Sequence, residues 1–424
     1  MLGILLVIML VLFSLNIPVA FVLLIMSAAL TVYCGLDLMT LAQRVVGGMN
    51  SFILLTVPFF LMVGSVMNKG GITERIFRFA TALVGHIPGG LGHVNVMASI
   101  IFAGMSGAAQ ADAAGLGQIE IEGMVNAGFD KGFSAAITAA SATIGPIIPP
   151  SIGLVIYGAL GGVSVGALLL AGVIPGLIMG VFLMIAVYII SKRRNYPVHP
   201  RASLKELAAS FREAVWALLA PVILLGGIFS GSFTPSEAGA IAALYSIIVS
   251  AFVYKELTWS DIPEILKEIL VANAGIMLLI GAAAPLGWLL NWQGVPQALA
   301  QSLLTLTSNK WALLLLINLF LLIAGMFMEG TAIMTILVPL LLPVVTALGV
   351  DPVHFGVIFV LNLQIGGLTP PFGVLSYIVC IIAKLSLWEL MKDMWPFLIA
   401  LVVALLVVTF SPTLVLFLPR LALG

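Results

Sequence analysis

Apolar stretches long enough to cross a lipid bilayer follow one another along almost the whole 424-residue chain. A helix needs about 20 apolar residues to span the hydrocarbon core, and a soluble fold has no place for so many such stretches. Only 8% of the residues are charged, whereas an ordinary soluble domain carries about 25%. Basic and acidic residues balance, so no basic face exists to bind nucleic acid. We therefore predict an all-α polytopic membrane protein, which excludes a soluble enzyme, a nucleic-acid binder and a disordered scaffold.

The apolar stretches predict ten complete crossings. The predicted spans are 2–16, 18–35, 51–67, 132–158, 164–190, 214–231, 236–254, 271–290, 353–382 and 396–418. The first two are divided at Asn16-Ile17-Pro18, because a proline disfavours helix in the residue before it. A cleaved signal peptide is the alternative for the first stretch, but no basic segment precedes it.

Two further apolar stretches, 89–125 and 311–346, are too long for one crossing and are interrupted near the middle. The interruptions, at 104–112 and 325–331, consist of glycine and small or polar residues. Non-helical backbone survives at membrane depth only where protein or a water-filled cavity satisfies its polar groups. Both stretches are therefore predicted to be re-entrant hairpins that enter and leave on one face.

The distribution of basic residues agrees with this count of spans. If the N-terminus is outside, the inner segments are 68–88, 120–131, 191–213, 255–270 and 383–395, and they hold fourteen of the seventeen Lys and Arg residues. Arg44, Lys310 and Arg420 remain outside. Inner loops of membrane proteins are rich in Lys and Arg, so we predict that both chain termini lie outside.

A second copy of the central pattern begins 221 residues further along the chain. Adding 221 maps Gly104-Met105 onto Gly325-Met326, Ile144-Gly145 onto Ile365-Gly366, and Pro149-Pro150 onto Pro370-Pro371. Each half holds five predicted crossings and one hairpin, and an odd number of crossings inverts the second half relative to the first. Inverted repeats with broken helices are typical of secondary transporters.

The helix after each hairpin is predicted to break where glycine and proline cluster, at 145–151 and at 366–371. Proline removes a backbone donor and clashes with the preceding turn, which leaves carbonyl oxygens free. Free carbonyls can bind a cation, and half-helix N-termini can face an anionic substrate. Further oxygen ligands for a hard cation such as Na⁺ are available at Ser106, Ser141, Thr143, Gln364 and Thr369. Proline kinks that serve only packing are the alternative.

Three acids lie in or beside apolar segments, where a carboxylate is costly and commonly functional. Glu329 is predicted at the second hairpin tip, either near an ion or capping the hairpin backbone. Asp112 follows the first tip and could hold the amides of that loop. Glu237 follows Thr234-Pro235-Ser236, which favours a role as a helix cap. The four histidines have no metal-binding spacing and are expected at membrane interfaces.

Three shorter stretches, 37–48, 72–86 and 257–269, are amphipathic. Such helices suit the membrane interface, and a solvated connector is the alternative for each of them. We predict that they lie between the crossings as separate interfacial helices.

The hairpin string GMSGAAQAD at 104–112, the broken-helix string ATIGPIIPPSI at 142–152 and the partner string GLTPPFG at 367–373 resemble a known family. They are similar to the large membrane subunit of tripartite ATP-independent periplasmic (TRAP) transporters, and the resemblance covers essentially the whole chain. It implies an ion-transporter-superfamily fold that works as an elevator in the bacterial inner membrane, with periplasmic termini. It also implies uptake driven by Na⁺ at two or more sites, a small four-helix membrane subunit and a periplasmic substrate-binding protein.

The resemblance implies that the hairpins and broken helices move together as a transport domain. Residues 89–160 would form its first half and 311–382 its second half. Residues 1–88 and 161–310 would form the scaffold with its arm helices, and 383–424 the C-terminal span.

Together with the oxygen-bearing side chains, the resemblance gives a set of expected ligands. The expected Na⁺ ligands are Gly104, Ser106, Gly107, Thr143, Gly145, Pro146, Gly325, Gly330, Gln364, Gly366 and Thr369. The expected substrate contacts are Ser106, Ala109, Ser151, Gly330 and Thr331. The first tip has Ala108 where the family frequently has a second serine, so backbone carbonyls would carry more of the ligation there.

The leading hypothesis is secondary active import of a small organic anion (a carboxylate) across the lipid bilayer, without enzymatic activity. Proton coupling through Glu329 or Asp112 is an alternative on the same fold. A remote alternative is an intramembrane serine protease, because residues 104–107 fit a G-x-S-G pattern. Such an enzyme needs a base against Ser106, and no histidine is predicted at that depth. The sequence does not distinguish dicarboxylates, sugar acids and other carboxylates as substrates.

Overall fold

The computed structural model describes residues 8, 11–12, 15, 17–298, 301, 309–371 and 373–423. These residues are helical with no strand, which confirms the all-α prediction. In chain order the helices are α1 Val19–Tyr33, α2 Leu38–Met49, α3 Thr56–Lys69, α4 Ile72–Val84, α5 Gly90–Ser106, α6 Ala109–Gly115, α7 Gly117–Asn126, α8 Lys131–Ala142, α9 Ile152–Gly161, α10 Val165–Arg194, α11 Leu204–Phe229, α12 Pro235–Ile248, α13 Ile262–Trp292, α14 Lys310–Phe327, α15 Gly330–Ala347, α16 Pro352–Gly366, α17 Val374–Ala383, α18 Leu387–Phe410, α19 Pro412–Val415 and α20 Phe417–Leu423. Among the described helices, eight segments are long and apolar enough to cross a membrane.

Most predicted spans coincide with these helices, and the first one, 2–16, lies largely outside the described residues. A 3₁₀ turn, Phe52–Leu55, precedes α3, and a π-helical turn, Val249–Val253, extends α12. The last predicted span, 396–418, is wrong at both ends. Its helix begins nine residues earlier, at Leu387 after the capping residue Ser386, and it ends at Phe410 because Ser411-Pro412 stops it.

The prediction of a separate interfacial helix at 257–269 is wrong. The chain forms one continuous helix, α13, because no glycine or proline interrupts the passage from the amphipathic stretch into the following apolar span. The other two amphipathic stretches form their own helices, α2 and α4. The predicted interfacial helix and the predicted crossing at 271–290 are therefore parts of the same helix, α13.

Both hairpins and both broken helices are present. The first hairpin turns at Gly107-Ala108 between α5 and α6, and the second turns at Met328-Glu329 between α14 and α15. The broken helices are α8 with α9, and α16 with α17. Adding 221 to the bounds of α5 gives 311–327, against an observed 310–327 for α14. The same shift places α9 at 373–382, one residue from α17, so the duplication holds at the level of the helices.

The helices pack as two groups. The first group consists of α1 to α4 with α11 to α13, and the second consists of α5 to α10 with α14 to α20. In the second group α18 packs along α8 and α10, so the long helices that follow each broken helix join the hairpins. The two groups meet where α13 lies against α15 and where α3 and α4 lie against α5.

A polar cluster at the helix ends ties the second group together. Arg194 at the end of α10 forms ion pairs with Asp130 (3.0 Å), which precedes α8, and with Asp393 (2.5 Å) in α18. The Tyr196 hydroxyl donates to Asp130 Oδ2 (2.5 Å). Burial, and then the hydrogen bond to Asp130, raise the pKa of Tyr196 to about 12. This cluster fixes three helix ends at one side of the group.

The histidine prediction is wrong for two of the four residues. His93 and His354 are buried, and their Nε2 atoms hydrogen-bond the carbonyls of Pro88 (3.0 Å) and Val408 (2.9 Å). Each buried imidazole thus has one ring nitrogen paired with a backbone carbonyl. Glu237, by contrast, forms the predicted cap with Thr234, in which each side chain accepts from the other residue's backbone N–H.

Candidate functional site

The two hairpin tips and the two helix breaks surround one cavity of about 610 Å³. The hairpins contribute Gly107, Ala108, Gln110 and the segment 327–331, and the breaks contribute Pro146, Gln364 and Gly367. The opposite wall comes from the first group of helices, chiefly Val271 to Leu279 of α13 with Leu61 of α3. The cavity therefore lies between the two groups of helices.

The first hairpin tip depends on a glycine. Gly107 has φ +65°, and a side chain there would collide with the carbonyl of Pro150. The Gly107 carbonyl accepts a hydrogen bond from the N–H of Ile152 (3.4 Å) at the start of α9. The tip is thus joined directly to the first helix break.

Asp112 connects the same two elements from behind the cavity. Its side chain is 1% exposed, and Oδ1 accepts a hydrogen bond from the Ser106 hydroxyl. The other oxygen, Oδ2, is buried without a hydrogen-bond partner and lies against Gly145 in the break. The prediction that Asp112 holds loop amides is therefore wrong, because Oδ1 accepts from the Ser106 hydroxyl and Oδ2 accepts no hydrogen bond. A buried carboxylate oxygen facing a helix break is suited to a cation.

The helix break that Asp112 faces contains uncommitted backbone oxygens. Among the described residues no N–H or hydroxyl donates to the carbonyls of Thr143 and Gly145, since proline and the turn displace the usual donors. The Thr143 hydroxyl donates to Ala140 (2.5 Å) and keeps its lone pairs. Ser151 donates to the carbonyl of Pro146 and accepts from the N–H of Leu154 (3.1 Å). The first break therefore offers hard oxygen ligands in a buried setting.

A second polar network lies deeper in the first hairpin. Asn95 donates to Glu120 (2.9 Å) and Thr138 (2.7 Å) and accepts from Ser141 (2.7 Å). Ser99 donates to Ser141 in turn (3.0 Å). Glu120 is only 1% exposed, although the sequence assigned it to an inner loop beginning at residue 120. The network pins both arms of the hairpin to α8.

The second half reproduces the arrangement with different side chains. Asn362, at 221 residues beyond Ser141, donates to Asn318 (3.0 Å) and to the carbonyl of Ile358 (2.8 Å). Gly325 and Gly366 bring the hairpin and the broken helix into backbone contact, where an ideal Cβ on Gly366 would lie 2.6 Å from the Cα of Gly325. The carbonyls of Gln364 and Thr369 accept no hydrogen bond among the described residues.

Glu329 caps the second hairpin. Its Oε2 accepts from the N–H of Thr331 (3.0 Å), the N–H of Ala332 (3.3 Å) and the Thr331 hydroxyl. The capping alternative raised from the sequence is thus present in the structure. Glu329 also lines the cavity, so it lies where an ion or substrate would bind.

The expected ligands divide between the cavity lining and positions outside it. The cavity is lined by Gly107, Pro146, Gly325, Gly330, Thr331 and Gln364. Outside this lining, Gly104, Ser106, Thr143, Gly145 and Gly366 are buried and Thr369 is half-buried. Ala109 and Ser151 are not at the cavity, because Ala109 is buried at the start of α6 and the Ser151 hydroxyl serves the N-terminus of α9. Sequence reasoning missed Gln110 and the α13 wall, which no local motif marks.

The cavity has a marked electrostatic character. Its described lining residues include no Lys, Arg or His, and Glu329 is their one charged side chain. Two helix starts, at Gly153 of α9 and Val374 of α17, face it, and among the described residues their N–H groups have no acceptor. Helix N-termini carry roughly +0.5 charge. Because the described lining residues include no basic side chain, positive potential for an anion would come from these dipoles and from a bound cation.

Comparisons with known proteins agree with this architecture. The sequence profile of a family described as "Tripartite ATP-independent periplasmic transporter, DctM component" matches residues 6–414. The chain is 49% identical over 383 residues to the sialic acid TRAP transporter large permease protein SiaM of Vibrio cholerae, covering 90% of each chain. It is 41% identical to the C4-dicarboxylate TRAP transporter large permease protein DctM of Pseudomonas aeruginosa, covering 93% of each.

Two further similarities concern chain length and fold. The chain is 41% identical to the sialic acid TRAP transporter permease protein SiaT of Haemophilus influenzae and covers 62% of that longer protein. The solved structure of the Alcanivorax borkumensis YdaH transporter superposes with a TM-score of 0.66 at 17% identity, covering 93% of this chain and 96% of that chain. At this identity the likeness establishes the fold alone.

Proposed function

Because this chain belongs to the DctM component family of tripartite ATP-independent periplasmic transporters, we propose that it imports a small organic anion by Na⁺-coupled elevator transport. Family membership makes it a multi-pass membrane permease subunit and not an enzyme. The family also implies a small membrane subunit and a periplasmic binding protein as partners. The serine-protease hypothesis is set aside, since Ser106 is buried and its hydroxyl is held by Asp112.

The observation that carries the proposal is the cavity itself. It gathers both hairpin tips and both helix breaks, and its described lining residues include no basic side chain. A carboxylate in this cavity would bind through the N-termini of α9 and α17 and through bound Na⁺. Substrate affinity would then depend on Na⁺, which is the thermodynamic basis of coupling.

The residues present fit Na⁺ as the coupling ion. In the first half the unpartnered Asp112 Oδ2 lies against Gly145, in a helix break where the carbonyls of Thr143 and Gly145 accept no hydrogen bond among the described residues. In the second half the carbonyls of Gln364 and Thr369 are available. Oxygen ligands from carboxylate and backbone are those that hard cations prefer. Na⁺ bound there would neutralise Asp112, so that an anionic substrate would no longer face this buried negative charge.

The two packing groups support an elevator. The cavity lies on the boundary between them, so displacement of one group would carry the substrate without opening a continuous pore. We assign the moving unit to α5 to α10 with α14 to α20, which adds the long helices α10 and α18 to the hairpins and broken helices. The remaining helices would form the static scaffold, with both chain termini on the periplasmic side.

The substrate class is proposed as a carboxylate delivered by a periplasmic binding protein. Relatives are named for sialic acid and for C4-dicarboxylates, which share at least one carboxylate. The inner membrane is the expected location for a subunit that receives substrate from the periplasm.

Uptake into proteoliposomes tests the proposal. The permease would be reconstituted with its small subunit, and the binding protein would be loaded with each of a panel of labelled carboxylates. We expect accumulation under an inward Na⁺ gradient and none when K⁺ replaces Na⁺ under an inward proton gradient. Equal uptake under the proton gradient alone would instead favour coupling through Asp112 or Glu329. Absence of uptake with every carboxylate would contradict the proposed transport function.

A further inference from the structure

The cavity carries a negative charge of its own. Glu329 is the one charged side chain among its described lining residues, and the other polar side chains there are Gln110, Thr331 and Gln364. An anionic substrate must therefore bind beside a carboxylate. This arrangement restricts where a second negative charge on the substrate can lie.

Glu329 uses only half of its carboxylate for the fold. All three hydrogen bonds that cap α15 go to Oε2, and Oε1 has no partner among the described residues. The side chain is exposed where it lines the cavity. Serine, threonine, aspartate and asparagine are the preferred capping residues, so capping alone does not call for glutamate. Oε1 is available to a ligand.

The chemistry of Oε1 distinguishes between substrate classes. A carboxylate oxygen accepts strong hydrogen bonds from hydroxyl groups, and the amides of Gln110 and Gln364 can both donate and accept beside it. A second carboxylate on the substrate would lie near a like charge, which disfavours its binding. The cavity of about 610 Å³ also has room for a hydroxylated chain longer than a small diacid.

We propose that Glu329 is a specificity-determining residue that selects polyhydroxylated monocarboxylates over dicarboxylates. The inference rests on the proposed function, namely that this cavity binds the carboxylate substrate. The substrate carboxylate would lie toward α9 and α17, and its hydroxyl groups toward Glu329.

Ligands that differ in one group provide the test. D-Gluconate and D-glucarate share a hydroxylated carbon chain and differ in whether the far end is an alcohol or a carboxylate. Hexanoate has the same chain length without hydroxyl groups. Binding would be measured by calorimetry in Na⁺ buffer to the permease and its small subunit in lipid nanodiscs, so that selection by the periplasmic protein does not contribute.

Two variants separate charge in the cavity from charge elsewhere. Glu329→Gln keeps an amide oxygen for the cap and removes the negative charge. Glu122→Gln removes an equal charge from an exposed side chain on α7 that hydrogen-bonds Gln118 (3.1 Å) away from the cavity.

In the wild type and in Glu122→Gln we expect gluconate to bind tighter than glucarate by roughly tenfold or more, and tighter than hexanoate. In Glu329→Gln the affinity for glucarate should approach the affinity for gluconate. Equal binding of gluconate and glucarate by the wild type, or an unchanged ratio in Glu329→Gln, would overturn the inference while leaving carboxylate transport intact. Failure of every carboxylate to bind in Na⁺ would overturn the proposed function, and the inference with it.

Discussion

Replacing Gly366 by alanine perturbs the closest contact between the second hairpin and its broken helix. An ideal Cβ on Gly366 would lie 2.6 Å from the Cα of Gly325 and 2.9 Å from its carbonyl carbon. Carbon atoms pack at about 3.5–4.0 Å, so the two backbones must separate by about 1 Å. Overpacking of this kind costs about 1–3 kcal/mol. That cost corresponds to roughly a 5- to 150-fold change in an equilibrium constant.

We expect this cost to appear in Na⁺ binding, because Gly366 joins the hairpin tip to the oxygens of the second break. The assay is Na⁺-dependent uptake, in which Gly366→Ala should raise the half-saturating Na⁺ concentration at least about fivefold. Gly123→Ala in α7 is the control, since no neighbouring atom lies within 4 Å of its Cβ and the residue does not line the cavity. The same Na⁺ dependence in both variants and the wild type would refute the reasoning.

Three further predictions use other residues. Asp112→Asn keeps the side-chain shape but removes the buried charge, so the half-saturating Na⁺ concentration for uptake should rise by roughly tenfold or more. An unchanged concentration would show that Asp112 is not a Na⁺ ligand. Thr143→Ala and Thr369→Ala each delete one oxygen without leaving a large cavity, so activation of uptake by Na⁺ should weaken while thermal stability stays close to that of the wild type. Unchanged activation by Na⁺ in both variants would mean that these two residues serve packing alone. Burial and the hydrogen bond to Asp130 raise the pKa of Tyr196 to about 12 in the folded protein, against about 10 in the unfolded chain. The Tyr196 hydroxyl therefore contributes fully to stability below the unfolded-state pKa, and this contribution is lost as the pH rises through the folded-state pKa. Melting temperatures measured from pH 9 to 12 should therefore fall less steeply with pH for Tyr196→Phe than for the wild type. The same fall in melting temperature for variant and wild type would contradict this role of Tyr196.

The backbone plan of this protein could be predicted because it follows from local chemistry. Hydropathy marks the crossing helices, and the clusters of glycine and proline around Pro149-Pro150 and Pro370-Pro371 mark both breaks, whereas single prolines such as Pro175 lie inside continuous helices. The fixed offset of 221 residues then relates the two halves. Helix ends were less predictable, as at Phe410, because capping and packing move them by several residues.

Side-chain partnerships could not be predicted in the same way. The pairing of Ser106 with Asp112 depends on the turn at Gly107, and the burial of Glu120 depends on Asn95 from the other hairpin arm. The α13 wall of the cavity is formed by residues far away in the chain with ordinary apolar character. Such contacts arise from tertiary packing, for which a single sequence carries no local signal.

The elevator requires that the two groups of helices move past each other, and a cross-link between them tests this most directly. An ideal Cβ on Gly287 of α13 lies 3.5 Å from the Cβ of Pro339 in α15, a separation that suits a disulfide. The pair lies away from the cavity-lining residues. Both positions would be changed to cysteine in a background without Cys34 and Cys380.

The matched control joins two helices within the static group. An ideal Cβ on Gly239 of α12 lies 3.2 Å from the Cβ of Phe59 in α3. Oxidation should stop Na⁺-driven uptake by Gly287→Cys/Pro339→Cys and leave it running in Gly239→Cys/Phe59→Cys, with reductant restoring the first. Undiminished uptake with the first pair fully oxidised would contradict the elevator.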